Sequence, residues 1–212
     1  MERYLDQQAN NDAYDEGNIS YPCPAWAPVV GFTGITCAVV FANIGGAYGT
    51  AKAGQGIMAM GIRSPDLLMK NIIPVVMAGV LGIYGLIVAV ILNGKFTRPE
   101  VGTGLSTYSQ YTAFAHLAAG LCCGFTSLAS GLAIGISADA GTRAIGAQSA
   151  MAASWKKMGF TGDSGGQESG AGDALFVGTI LIQVFASNLG LYGLITALIV
   201  SQTTYSCSSY DE

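Results

Sequence analysis

Residues 174–200 read ALFVGTILIQVFASNLGLYGLITALIV. The stretch can cross a hydrocarbon core of ~30 Å, which needs roughly 20 helical residues. Its one ionisable side chain is Tyr192. Polar and apolar residues do not alternate along it, so a membrane helix is expected rather than a barrel strand. Polar side chains nevertheless stand at its centre: Gln183, Ser187 and Asn188.

Three more stretches share this character, at about Trp26 to Met60, Ile72 to Leu92 and Tyr108 to Ala138. Of the 212 residues, 51% are hydrophobic and only 10% charged, and 30 are glycine. A soluble domain carries roughly 25% charged residues and about half that share of glycine. The chain is therefore read as an all-α integral membrane protein with four spans. A net charge of -4 with no basic stripe argues against nucleic acid. Five cysteines without a CxxC pattern, and the single His116, offer no expected metal site. No phosphate-binding loop is present, and no cofactor is expected.

Lys and Arg placement sets the expected orientation. Lys52, Arg63 and Lys70 lie near the first connection, and Arg143, Lys156 and Lys157 near the third. Arg3, Lys95 and Arg98 lie on the other side. The connections after spans one and three are thus expected in the cytosol, with both termini lumenal or outside. The polar start, MERYLDQQANNDAYDEGNIS, lacks the apolar core of a signal peptide, so the first span is expected to direct insertion. Asn18-Ile19-Ser20 is an N-glycosylation sequon on the expected non-cytosolic side.

The chain also repeats. GIYGLIVAVIL from Gly82 matches GLYGLITALIV from Gly190, and Ala47-Tyr48-Gly49 answers Ala133-Ile134-Gly135. Ala53-Gly54 answers Ala140-Gly141 if the third span holds one extra residue. Two helical hairpins in parallel orientation are expected, at 24–93 and 108–202, flanked by tails 1–23 and 203–212 and joined by a loop at 94–107. Residues 143–173, rich in Gly and Ser, are expected to form a flexible, solvated cytosolic insertion. Spans one and three are dense in small residues, which let backbones approach closely in lipid. Gly45, Gly46, Gly49, Gly54, Gly131, Gly135 and Gly141 are the expected packing glycines, in an inner layer where many copies meet. Spans two and four, bulkier, are expected to face lipid.

Four motifs, in order, now point to a family. AYGTAKAGQGI, RSPDLLMKNIIPVVMAGVLGIYGLIVAVIL, SGLAIGISADAGTRA and LFVGTILIQVFASNLGLYGLITALIV resemble the 16 kDa, c-type proteolipid of the vacuolar-type proton ATPase. The resemblance covers nearly everything from Pro24 to Val200 except the long third loop. It implies a rotor ring of several proteolipid copies in an acidic endomembrane such as the vacuole's. It implies three protein partners: sibling proteolipids, a stator subunit with a membrane arginine, and a rotor central-stalk subunit. It also implies that the chain is no enzyme by itself but part of a proton-translocating rotary ATPase.

In that family a glutamate on the fourth helix, between Phe-Ala and Leu-Gly-Leu-Tyr-Gly, carries the proton. Here Phe185-Ala186 is followed by Ser187, and Gly79 holds the matching place on the second span. Neither span contains Asp or Glu. A buried carboxyl can be shifted by desolvation toward neutral pH, but a serine hydroxyl only donates and accepts hydrogen bonds. Gln183, Ser187, Asn188, Tyr84 and Tyr192 are expected to form a polar cluster. Without an anion it would have to offset a cation's desolvation unaided, so no cation site is expected. A ring subunit without its own proton step is the first reading, an assembly paralogue the second, and a tetraspan pore the third. Lys52 and Asp139, at corresponding repeat positions, are expected to pair within or between copies. His116 is expected to be a hydrogen-bonded structural residue, and Cys122 and Cys123 to serve packing.

Overall fold

Two prolines mark where the first two long helices begin. α1 spans Ala27–Gly61 and α2 spans Ile73–Asn93, with Pro28 and Pro74 in their opening turns. Proline has no N–H to lose there, and its fixed φ suits a helix start. A 3-10 turn, Lys70–Ile72, leads into α2. α3 runs Gln110–Lys157 and α4 Gln167–Ser201. These elements come from a computed structural model that describes residues 24, 26–62, 65, 68–96, 108–157 and 167–205. Asn18, Arg3, Arg63 and Arg98 lie outside the described residues.

All four helices are long and apolar enough to cross a membrane. The fold is therefore the expected all-α tetraspan. At 1.5 Å per residue α1 is ~52 Å long and α3 ~72 Å, well beyond a ~30 Å core. The third connection differs from expectation. Residues through Lys157, and again from Gln167, are helical rather than a solvated coil. Alanine is frequent in AIGAQSAMAASWKK. Extending an existing helix needs no new nucleus, so alanine's propensity outweighs the scattered glycine and serine.

α1 and α3 pack parallel, at backbone contact, along most of their length. Gly34 faces Gly120, Gly45 faces Gly131, Gly49 faces Gly135 and Met60 faces Gly146. The offset is constant, and it is the one that relates Gly49 to Gly135 in the repeat. Equivalent positions of the two hairpins thus meet across a pseudo-twofold axis. The same register holds at Gly56 and Thr142, and α3 is unbroken there. The extra residue inferred from the sequence is therefore not needed in space.

α2 lies on α1, with Gly85 against Ala42 and Ala38. α4 lies on α3, with Gly141 against Thr179 and Gly190 beside Ser130. One apolar core joins all four: Ala38, Val88, Leu92, Ala119, Cys123, Leu194 and Ala197. A second joins Ala78, Leu81 and Ile134. Most of the expected packing glycines make close contacts within the chain. Gly46 approaches the Ala78 carbonyl on α2. Gly54 is the exception, because a Cβ there would meet nothing within 4 Å.

An aromatic and polar cap closes the Ala27 end. Phe96 stacks between Phe32 at 4.4 Å and Tyr108 at 4.8 Å. Tyr108 Oη and His116 Nδ1 share a 2.6 Å hydrogen bond, with both residues buried. Burial pushes the Tyr108 phenol above its usual range, so it stays protonated. Thr112 Oγ1 donates to the Tyr205 carbonyl at 3.3 Å and accepts from Tyr205 N–H at 3.2 Å. Tyr108→Phe leaves His116 Nδ1 unpaired in a sealed site. A loss of about 1–3 kcal/mol is expected, measured as a lowered Tm in detergent.

Candidate functional site at the middle of the fourth helix

Gln183 and Ser187 are four residues apart, so a 3.6-residue period puts them on one face of α4. That face turns toward α3 and α2. Ala186 packs on the Ala78, Leu81 and Ile134 cluster, and Ser130 Oγ donates to the Ala186 carbonyl at 2.7 Å. Ser130 ties α3 to α4 one residue before Ser187. The sequence does not single it out, because a serine in a run of Ala and Gly looks like one more small side chain.

Ser187 is 8% exposed, and its Oγ donates to the Val184 carbonyl at 2.9 Å. The hydroxyl hydrogen is therefore spent on its own helix, a common arrangement for mid-helix serine. Gln183 is 1% exposed. Neither its Nε2 nor its Oε1 meets a hydrogen-bond partner among the described residues. A buried amide left so costs about 1–3 kcal/mol.

The expected five-residue polar cluster does not gather within the chain. Tyr192 is 61% exposed on the outer side of α4. Tyr84 is half-buried and packs against the two apolar cores. Asn188 is half-buried, one residue round the helix from Ser187. The physical reason is rotation. Each step along a helix turns about 100°, so adjacent polar letters leave on different faces.

The in-chain pair of Lys52 with Asp139 does not form either. Arg143 Nε donates to Asp139 Oδ1 at 2.8 Å, one turn along α3. With the α1–α3 register uninterrupted, Asp139 stands across from Ala53 and Lys52 across from Ala138. The shift that made Lys52 and Asp139 counterparts is absent. The Arg143 pair is largely exposed, and such pairs contribute only about 0.3–0.5 kcal/mol.

Chemically, the mid-span site has hydrogen-bonding groups and no charge. No group of three or more His, Cys, Asp or Glu that could hold a metal occurs among the described residues. It can bind and orient neutral polar groups; it has no acid or base that titrates near neutrality.

The family model of the ATP synthase C subunit matches residues 33–92 and 117–200. The chain is 50% identical over 186 residues to the V-type proton ATPase 16 kDa proteolipid subunit of Chrysotila carterae, covering 88% of this chain and 98% of that one. It is 45% identical over 176 residues to a V-type proton ATPase 16 kDa proteolipid of Caenorhabditis elegans, covering 83% and 91%. It is 43% identical over 183 residues to the V-type proton ATPase 16 kDa proteolipid of Nephrops norvegicus, covering 86% and 96%.

Proposed function

Because the chain belongs to the family of the ATP synthase C subunit, we propose that it occupies a place in a V-type proton ATPase rotor ring without carrying a proton itself. The relatives are named as subunits of that pump, over most of both chains. The observation that carries the second half is Ser187. A buried, uncharged hydroxyl, bonded back to Val184, stands where the resemblance places a carboxylate. No other acid in α2, or in α4 from Ala174 onward, takes over.

The partners are sibling proteolipids, a stator subunit with a membrane arginine, a central-stalk subunit and the surrounding lipid. The termini face the lumen of an acidic endomembrane, so Asn18 is available to glycosylation. The alternative, an assembly paralogue outside the working ring, is favoured by Asn188 and the long third connection, which depart from the motif on either side of Ser187. Affinity purification of the tagged chain from its own membranes distinguishes the two. Stator and ATP-hydrolysing subunits are expected in the eluate together with sibling proteolipids. An eluate with siblings but no stator or ATPase subunits supports the assembly role instead.

A further inference from the structure

We propose that the Gln183 carboxamide heads a water-binding site sealed inside the α3–α4 seam, with the Ser137 and Ser187 hydroxyls as its other polar walls. The starting point is Gln183 itself, which is 1% exposed with both amide atoms unpartnered among the described residues. Buried polar groups almost always find a partner, in protein or in water. The seam shows what surrounds the amide. Gly141 lies against Thr179 and Ser130 beside Gly190. The same antiparallel register places Ser137 across from Gln183 and Ala133 across from Ser187. The α3 side is small at each step, with Ser130, Ala133, Ser137 and Gly141.

The donor and acceptor count fits water. Ser137 Oγ donates to the Ile134 carbonyl at 3.2 Å, and Ser187 Oγ donates to that of Val184 at 2.9 Å. Both oxygens keep lone pairs and act as acceptors. The carboxamide adds two N–H donors and one carbonyl acceptor. A water needs two to four such partners and gives back both hydrogens and a lone pair. A bare cation would find no anion here and would face the Nε2 hydrogens. Thr179, one turn from Gln183 on the same face, is half-buried and extends the polar line toward Asp139 and Arg143.

The test is water-edited solid-state NMR on the full chain, isotope-labelled and reconstituted in lipid bilayers. Magnetisation from water is expected to reach Gln183 Nε2, while the methyls of Ile134 and Ala138, both 0% exposed, stay dark. In Gln183→Leu, the water contact of Ser137 is expected to disappear. A dry Gln183 overturns the proposal, including one bonded directly to Ser137. So does transfer to Ile134 as strong as to Gln183, which marks a flooded seam rather than a defined site. The wild-type measurement decides by itself if the variant does not fold.

Discussion

Gly131→Val eliminates the folded chain. A Cβ at Gly131 would land on the backbone of Gly45, 2.7 Å from its Cα and nearer still to its carbonyl. The obstacle is helix backbone, not the tip of a flexible side chain, so no rotamer change relieves it. α1 and α3 would have to separate, and their contacts at Gly34, Gly49 and Gly56 would open with them. In lipid, close packing is what holds helices together, since lipid tails solvate apolar faces equally well. Overpacking a core costs about 1–3 kcal/mol when side chains can yield. Here the cost exceeds ~3 kcal/mol, a large part of the roughly 5–15 kcal/mol typical of folded domains. The control is Gly54→Ala, where nothing lies within 4 Å and better helix propensity contributes about 1 kcal/mol. Fluorescence-detected size exclusion of detergent extracts should show a monodisperse peak for Gly54→Ala and none for Gly131→Val. Equal peaks would refute the backbone seam.

A V-type pump whose ring is supplied only by this chain moves no protons, and Ser187→Glu restores transport. Positioned acid–base groups contribute roughly 10²–10⁴-fold to proton transfer, and the native site has none. The Ser187 hydroxyl stays neutral at any working pH, so an arginine passing it finds no anion to pair with. A carboxylic acid at this position supplies both states: neutral in hydrocarbon and charged beside the arginine. The measurement is ATP-driven acidification of vesicles from cells that lack the ordinary proteolipid and express either form. At least a ~100-fold difference between wild-type and Ser187→Glu rings is expected. Wild-type rings that acidify vesicles as fast as the variant rings would end the claim that this position is silent. The outcome is independent of the Gln183 hydration test, since a site can hold neutral water whether or not the ring turns.

Much of this protein was legible before any coordinates. Span number follows from counting apolar residues against bilayer thickness. The repeat follows from GIYGLIVAVIL and GLYGLITALIV, and the absent acid from one letter after Phe185-Ala186. These features are local or compositional, so tertiary contacts cannot alter them. The helical continuation of α3 to Lys157 was less visible, because its glycines and serines stand out more than the alanines between them.

The orientation of each side chain was another matter. In a soluble helix, polar and apolar stripes announce the buried face. Through the membrane, small and apolar residues of α1 and α3 are spread around the helix with no polar stripe, because lipid and protein neighbours ask for the same residues. No periodicity then separates Gly131, pressed on Gly45, from Gly54, facing open space. One residue of register turns a side chain by about 100°. That rotation decides that Asp139 meets Arg143 and not Lys52, and that Tyr192 leaves the site while Gln183 is sealed within it. The sequence alone determined which chemistry is missing from the middle of the membrane. Only the packing of α3 against α4 decided which polar groups remain together there, because contact between helices depends on a rotation that composition does not encode.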